Sequence, residues 1–360
     1  ASKLAERYGH RPAVTHWQVD NELGHEGSDL DFSPNALLAW HEWLRRKYGG
    51  SVEELNSEWG TIFWGATYSS FEQIGLPKFT IPAVGSTKTA FQSFRANHPP
   101  GALLDYRRFQ SQAIGDFAAA QLRVLRPHLP AHVSITTNLP GGLFGKAFDP
   151  NAIFGQGFDT VAYDNYPVWG GSLEPLAPYV VALVADLIRG FGRFDKGSAA
   201  FAPTMVSEQL LGAQGHDIIG YTPRPGQAVA WASQMLAHGV TALLFFRYRS
   251  AVFAQEELCY GILDHATPRA TGRKFHEAKQ LYSIGRGYAP LWLAPKVATV
   301  ALLYDYDNVW AWQAQPQSTA FDFQTEAARL YYPFWRLGVA MDVLSTARLL
   351  DATVPTSQYA

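Results

Sequence analysis

The chain has 360 residues, a formal charge of −2 and 47% hydrophobic side chains, enough for one large barrel or two ordinary domains around a sizeable core. The near-neutral charge offers no basic footprint for nucleic acid or an anionic membrane, and the single cysteine, Cys259, excludes an internal disulfide and a cysteine-built zinc site. Aromatic residues reach 14%, with 11 Trp, 17 Tyr and 22 Phe, which suits either a large aromatic core or a surface that covers the C–H faces of sugar rings. No apolar run approaches membrane-spanning length and no signal peptide opens the chain; the expected compartment is the cytoplasm, although in a fragment a missing signal peptide says little about it. The opening, ASKLAERYGHRPAV, has no initiator Met and reads as a helix tail running into a strand, which predicts a longer parent protein.

Short β-rich runs alternate with longer helical stretches, which predicts parallel α/β architecture. The first strand runs from Val14 to Val19 and ends on Asp20-Asn21-Glu22. Ser33-Pro34 then opens a helix with Leu37, Trp40 and Leu44 on its apolar face, and Gly49-Gly50 stops it. Ser51 and Glu54 form a capping box for the next helix, which ends near Gly60. From Trp64 to Pro99 the chain is irregular and rich in Gly, Pro, Ser and Phe. A loop of that length in a compact domain is commonly functional, and with Trp64 and Phe71 in it we expect it to roof a pocket. A long helix spans Leu103 to Leu125. Further strands follow at His132 to Thr137, Thr160 to Tyr163, Thr204 to Ser207 and Ala242 to Phe246, with a helix from Gly226 to His238 between the last two. They end on Asn138, Asp164-Asn165-Tyr166, Glu208-Gln209 and Arg247-Tyr248-Arg249. Polar residues stacked at the carboxyl ends of successive strands predict the active face of a (β/α)8 TIM barrel. A composition shift at Pro290 to Pro295 precedes a strand from Lys296 to Tyr304, a helix from Ala320 to Leu337 and a strand from Val339 to Leu344. Residues 1–290 are therefore expected to form a partial catalytic barrel, and 296–360 to open a second α/β domain of flavodoxin-like type.

Glycoside hydrolysis needs two carboxyl groups astride the scissile bond, held on rigid elements. Glu22 stands just past the first strand, behind Asn21, whose side chain can bond a sugar 2-hydroxyl. Glu208 ends a strand three further on. Alone, either residue reads as an ordinary strand-end or helix-capping carboxylate. Together they fall on opposed walls of one barrel. His10, His16 and His25 lie near the first strand without any paired spacing, so they read as surface or satisfied core histidines and no metal site is expected.

These segments resemble glycoside hydrolase family 42, the β-galactosidases, over nearly the whole chain. The resemblance rests on Trp17 to Gly24 (WQVDNELG), Trp40 to Gly50 (WHEWLRRKYGG), Asn56 to Phe71 (NSEWGTIFWGATYSSF), Asp105 to Phe109, Thr136 to Asn138 and Ala162 to Pro167 (AYDNYP). It continues through Pro223 to Gln227, His238-Gly239, Phe245 to Arg249 and Ala301 to Trp312 (ALLYDYDNVWAW). The resemblance implies that the strand at Val14 is the fourth of eight, with the first three βα units and a sugar-holding arginine outside this sequence. It implies that Glu22 is the acid/base, Asn21 the 2-hydroxyl partner and Glu208 the nucleophile. It also implies that Trp64 lines the sugar pocket, that Tyr166 lies near the nucleophile, and that either Glu256 or Glu257 binds galactose. No cofactor is implied. Residues 296–360 resemble the start of a domain that mediates trimer formation, which implies a homo-oligomer. The chain departs from the family at Tyr260, where relatives carry His, and at Gly215-His216-Asp217, where they carry a Trp. Both departures bear on the glycone pocket.

The resulting expectation is a retaining hydrolase of terminal β-D-galactosyl residues acting on a galactoside or oligosaccharide. The alternatives are an α-L-arabinopyranosidase or other β-glycosidase of the same clan, a non-catalytic carbohydrate-binding relative, or an assembly protein supported only by the second domain.

Overall fold

The structure, a computed structural model, describes residues 1–25, 28, 30–77, 98–141, 148–192, 201–265, 271–318, 320–350, 354 and 356–359. The strands follow the sequence reading closely. β1 (His16–Gln18) pairs with β2 (Ser134–Thr136), which resumes after Thr137 as β3 (Asn138–Leu139). β3 pairs with β4 (Val161–Asn165), β4 with β5 (Thr204–Leu210), and β5 with β6 (Val240–Phe246), every pair parallel. Parallel neighbours in sequence order with helices between them make this arc a partial (β/α)8 barrel. All five residues of β4 are buried, as expected for a strand covered on both faces, whereas β1 and β6 at the two ends of the arc leave side chains exposed. Behind the arc, Ile135, Val161, Tyr163 and Val206 join Leu122, Leu183 and Ile188 of the flanking helices in one apolar core.

Local signals set the helix ends. Ser33 Oγ accepts from the Ala36 amide and starts the helix Pro34–Lys47. Ser51 Oγ accepts from Glu54, and the helix Val52–Trp59 ends on Gly60 in the left-handed region at φ 65°, a conformation that glycine adopts without strain. These two helices and Pro100–Leu125 enclose a second core in which Trp40 stacks on Trp43 at 5.5 Å and on Trp59 at 6.2 Å. Buried Asp105 ties this core together, accepting from Tyr48 Oη at 2.5 Å, Trp59 Nε1 at 3.1 Å, Arg108 Nη1 at 2.9 Å and Lys47 Nζ. Much of the aromatic excess is therefore core. Phe71 also belongs to this core, so it does not roof a pocket, and residues 78–97 of the expected roof lie outside the described residues.

After residue 296, β7 (Val300–Leu303) and β8 (Met341–Leu344) pair in parallel, with the helices Tyr306–Ala314 and Phe323–Leu337 between them. The barrel helix Pro178–Gly190 packs directly on β8. Contact there is so close that a Cβ on Gly190 would lie 1.8 Å from the Val343 carbonyl oxygen. Backbone cannot yield as a flexible side chain does, so Gly190→Ala should destabilise the protein by about 3 kcal/mol. A urea midpoint equal to the parent's would contradict this packing. Among the described residues, no helix is long and apolar enough to cross a membrane.

Candidate active site

At the carboxyl ends of the strands lies a cleft of about 650 Å³, walled by Asn21, Glu22, His25, Tyr166, Trp169, Glu208, His216, Phe246 and Glu256 among others. Glu22 reaches it through a turn after β1 that places two non-glycine residues in the left-handed region, Asp20 at φ 58° and Glu22 at φ 46°. Such residues cost about 1–3 kcal/mol each and persist only where their surroundings hold them. Asn138 supplies that hold, because its Oδ1 accepts from the Glu22 amide at 3.1 Å and from Gln18 Nε2 at 2.9 Å. Its Nδ2 donates to Asn21 Oδ1 at 3.1 Å, and Gln18 Nε2 also reaches Asn21 Oδ1 at 3.3 Å. With its carbonyl oxygen so engaged, Asn21 is left with its NH2 group for a sugar hydroxyl.

Glu208 owes its position to a bulge. Tyr163 pairs with Val206 and Asp164 with Glu208, so Ser207 is an extra residue on β5. A bulge re-aims the residues beyond it, and here it sets Glu208 directly across from Asp164 on one face of the sheet. Carboxylate oxygens of Glu22, Asp164 and Glu208 all lie within 4.8 Å of one another. Among the described residues this is the one group of potential ligands close enough to share a cation. Tyr166 Oη donates to Glu208 Oε2 at 2.6 Å, and Arg247 Nη1 pairs with Glu256 Oε2 at 2.7 Å.

Burial raises the Glu208 carboxyl above the usual carboxylate range, with the charges of Glu22 and Glu256 adding to the rise. The Tyr166 hydroxyl and the Arg247 charge work against it. Burial first, then the charge of Glu208 and its hydrogen bond, hold the Tyr166 hydroxyl far above the ordinary phenol range, so it stays a donor at any working pH. Removing that donor by Tyr166→Phe should raise Glu208 further. Because a nucleophilic carboxylate must be ionised, the acidic limb of the kcat/KM profile should move to higher pH. Activity just above the parent's limb should fall about tenfold. An unmoved limb would show that the bond does not tune Glu208.

Of the residues expected from sequence, Asn21, Glu22, Tyr166, Glu208 and Glu256 meet in this cleft. Glu257 does not. It lines a separate shallow hollow with Tyr260 and His265, because the short helix Gln255–Leu258 turns successive side chains apart. That separates the neighbouring glutamates and also puts Tyr260 outside the cleft. Trp64 is absent from the cleft as well. It sits at φ 59° in a tight turn after the helix Val52–Trp59, rests on Phe63 at 5.0 Å and is 88% exposed. His25 also lines the cleft, its Nε2 4.0 Å from Glu22 Oε2. His216, from the segment expected to bear on the glycone pocket, lines the cleft, whereas Trp169, Asn138 and Asp164 were missed as site residues. Trp169 meets the Tyr166 ring at 5.0 Å and the His216 ring at 5.2 Å, forming an aromatic wall. The strand-end position of Asn138 and Asp164 was the available signal for those two.

Residues 1–285 match the family described as β-galactosidase, glycoside hydrolase family 42, and residues 298–352 match the β-galactosidase trimerisation domain. The chain is 34% identical to β-galactosidase BgaA of a Thermus species over 354 residues, which cover 95% of this chain and 50% of that protein. It is 33% identical to a β-galactosidase of Thermus thermophilus, with the same coverage of 95% and 50%. The chain thus spans about half the length of the curated relatives it matches. The crystal structure of the Bacillus circulans sp. alkalophilus β-galactosidase superposes with a TM-score of 0.82 at 28% identity, covering 99% of this chain and 48% of that one. That of the psychrophilic Marinomonas ef1 enzyme superposes with a TM-score of 0.79 at 29% identity, covering 99% and 52%. On this evidence the chain belongs to glycoside hydrolase family 42.

Proposed function

We propose that the protein is a retaining glycosidase that removes terminal non-reducing β-D-galactosyl residues, with Glu208 as nucleophile and Glu22 as acid/base. The observation that carries this reading is the approach of the Glu22 and Glu208 carboxylate oxygens to within 4.8 Å. Retaining enzymes hold their carboxyl groups about 5–5.5 Å apart, whereas inverting ones need about 6.5–9.5 Å to admit a water. In the first step the Glu208 carboxylate attacks the anomeric carbon, and the glycosidic bond breaks as Glu22 gives its proton to the departing oxygen. In the second, Glu22 takes a proton from water, which attacks the same carbon and frees Glu208. Asn21 offers its NH2 group to the 2-hydroxyl, Tyr166 keeps the Glu208 carboxylate aimed, and Glu256, fixed by Arg247, accepts from a glycone hydroxyl.

The choice of galactose rests on the relatives named β-galactosidases. The trimerisation-domain match over residues 298–352 supports a homotrimer, and with it a division into a catalytic barrel up to residue 290 and an assembly domain from 296. Trp64 and Glu257 take no part in the cleft as described. The testing experiment compares hydrolysis of nitrophenyl β-D-galactoside and nitrophenyl α-L-arabinopyranoside by the full-length protein. We expect a higher kcat/KM on the galactoside. A preference for the arabinoside would reassign the glycone, and inertness toward both would point to a carbohydrate-binding protein.

A further inference from the structure

The two-step reaction uses two carboxyl groups, those of Glu22 and Glu208, and a third, that of Asp164 on β4, has an oxygen within 4.8 Å of theirs. Asp164 is 0% exposed and stands across the strand pair from Glu208. The other buried aspartates named here stand beside cations, Asp105 beside Lys47 and Arg108, and Asp186 beside Lys296, His238 and Arg189. Among the described residues no Lys, Arg or His forms an ion pair with Asp164. A buried charge without a partner is costly enough that such a group takes up a proton instead.

The hydrogens around Asp164 agree. Asn138 Nδ2 donates to its Oδ2 at 2.7 Å. Ser207 Oγ donates to its Oδ1 at 2.9 Å and also lies 3.1 Å from the Tyr163 carbonyl oxygen. Asn138 and Ser207 thus supply neutral donors to the carboxyl and no counter-charge.

We propose that Asp164 is a positioning residue that works as a neutral carboxylic acid, steadying Glu22 and holding the three-carboxyl cluster to a single negative charge, that of Glu208. The inference rests on the glycosidase reading of Glu22 and Glu208. Besides those two, the titratable groups facing Asp164 are Tyr166 and, along β4, Tyr163, while Arg247 and Glu256 act on the cluster through Glu208. Burial first, then the charges of Glu208 and Glu22, hold the Asp164 carboxyl well above the usual carboxylate range, against the opposing Ser207 hydrogen bond. An ionised Asp164 would instead set a second negative charge against both glutamates, opposing the ionisation that Glu208 needs and the proton release that Glu22 must perform.

The test is Asp164→Asn, a neutral isostere whose oxygen can accept from Asn138 and whose NH2 group stands in for the acid proton. The amide should leave the alkaline limb of the kcat/KM profile where the parent has it. Asp164→Leu, which has no donor to set beside the Glu22 carboxylate, should move the alkaline limb upward and lower kcat about tenfold or more. A downward shift of both limbs in Asp164→Asn would mean that the parent carries a charge there, and would overturn the proposal. The infrared difference spectrum of parent against Asp164→Asn reads the proton without turnover. At about pH 8 the parent should lose a protonated-acid carbonyl band on substitution, and loss of a carboxylate band would refute the assignment even in a fully active enzyme. A protein inert toward glycosides but retaining the acid band would sink the glycosidase reading and leave the protonation standing.

Discussion

Glu208→Gln should lower kcat on nitrophenyl β-D-galactoside by roughly ten-thousandfold or more, the scale on which removal of a nucleophile acts, with little loss of stability. The amide has the same shape and keeps an oxygen for Tyr166 Oη, now 2.6 Å from the carboxylate. It lacks the electron pair that attacks the anomeric carbon. The folding side of the change is favourable. Burial and neighbouring charge already hold the Glu208 carboxyl above its usual range, so replacing it by a neutral group removes a charge that the folded state disfavours. A variant that keeps parental kcat would assign the nucleophile elsewhere. A variant that unfolds would show that the carboxylate has a structural part.

Asp186→Ala should be the most destabilising change outside the cleft, by about 3–5 kcal/mol at neutral pH, because it leaves buried cations without their counter-charge. Asp186 is fully buried on the helix Pro178–Gly190. It accepts from His238 Nδ1 at 3.1 Å, from Tyr331 Oη at 2.6 Å and from Lys296 Nζ, with Arg189 at 3.6 Å. Arg189 passes on to Asp342 of β8. One carboxylate thus ties two barrel helices to the segment after residue 296. Burial acts to raise its pKa, but the charges of His238, Lys296 and Arg189 outweigh that and hold it well below the usual carboxylate range. A depressed carboxylate contributes stability that is fully present above the unfolded value, about 3.9. That contribution is lost as pH falls from there toward the folded value. The gap between parent and variant in urea midpoint should therefore be widest near neutrality and narrow in acid. A constant gap, or one below about 1 kcal/mol at neutral pH, would contradict the network's role.

What was legible in the sequence is what local chemistry decides. Ser33, Ser51 and Gly60 mark helix ends because capping needs only the next few residues. The strands could be found because each is a short apolar run closed by polar residues. Glu22 and Glu208 could be paired because consecutive parallel strands place their carboxyl ends on one face. Register and long-range packing were not legible. Ser207 looks like any strand residue, and only the pairing of Tyr163 with Val206 and of Asp164 with Glu208 reveals it as an extra one. Asp164 and Asn138 therefore read as ordinary strand-end polar residues. Composition could not separate core from cleft among the tryptophans either. Trp40, Trp43 and Trp59 are packed inside, Trp64 is exposed, and Trp169, given no role, walls the cleft beside His216. Glu256 and Glu257 were indistinguishable until a short helical turn sent them into different hollows.

The most direct test of the central claim is to trap the glycosyl-enzyme. A 2-deoxy-2-fluoro-β-D-galactoside with a good leaving group slows both chemical steps, because the fluorine opposes positive charge at the neighbouring carbon, while the leaving group speeds the first. The full-length protein should gain the mass of one fluorogalactosyl group, and peptide mapping should place it on Glu208. A label on another residue, or hydrolysis of the parent galactoside with no adduct formed, would contradict the assignment of Glu208 as a nucleophile.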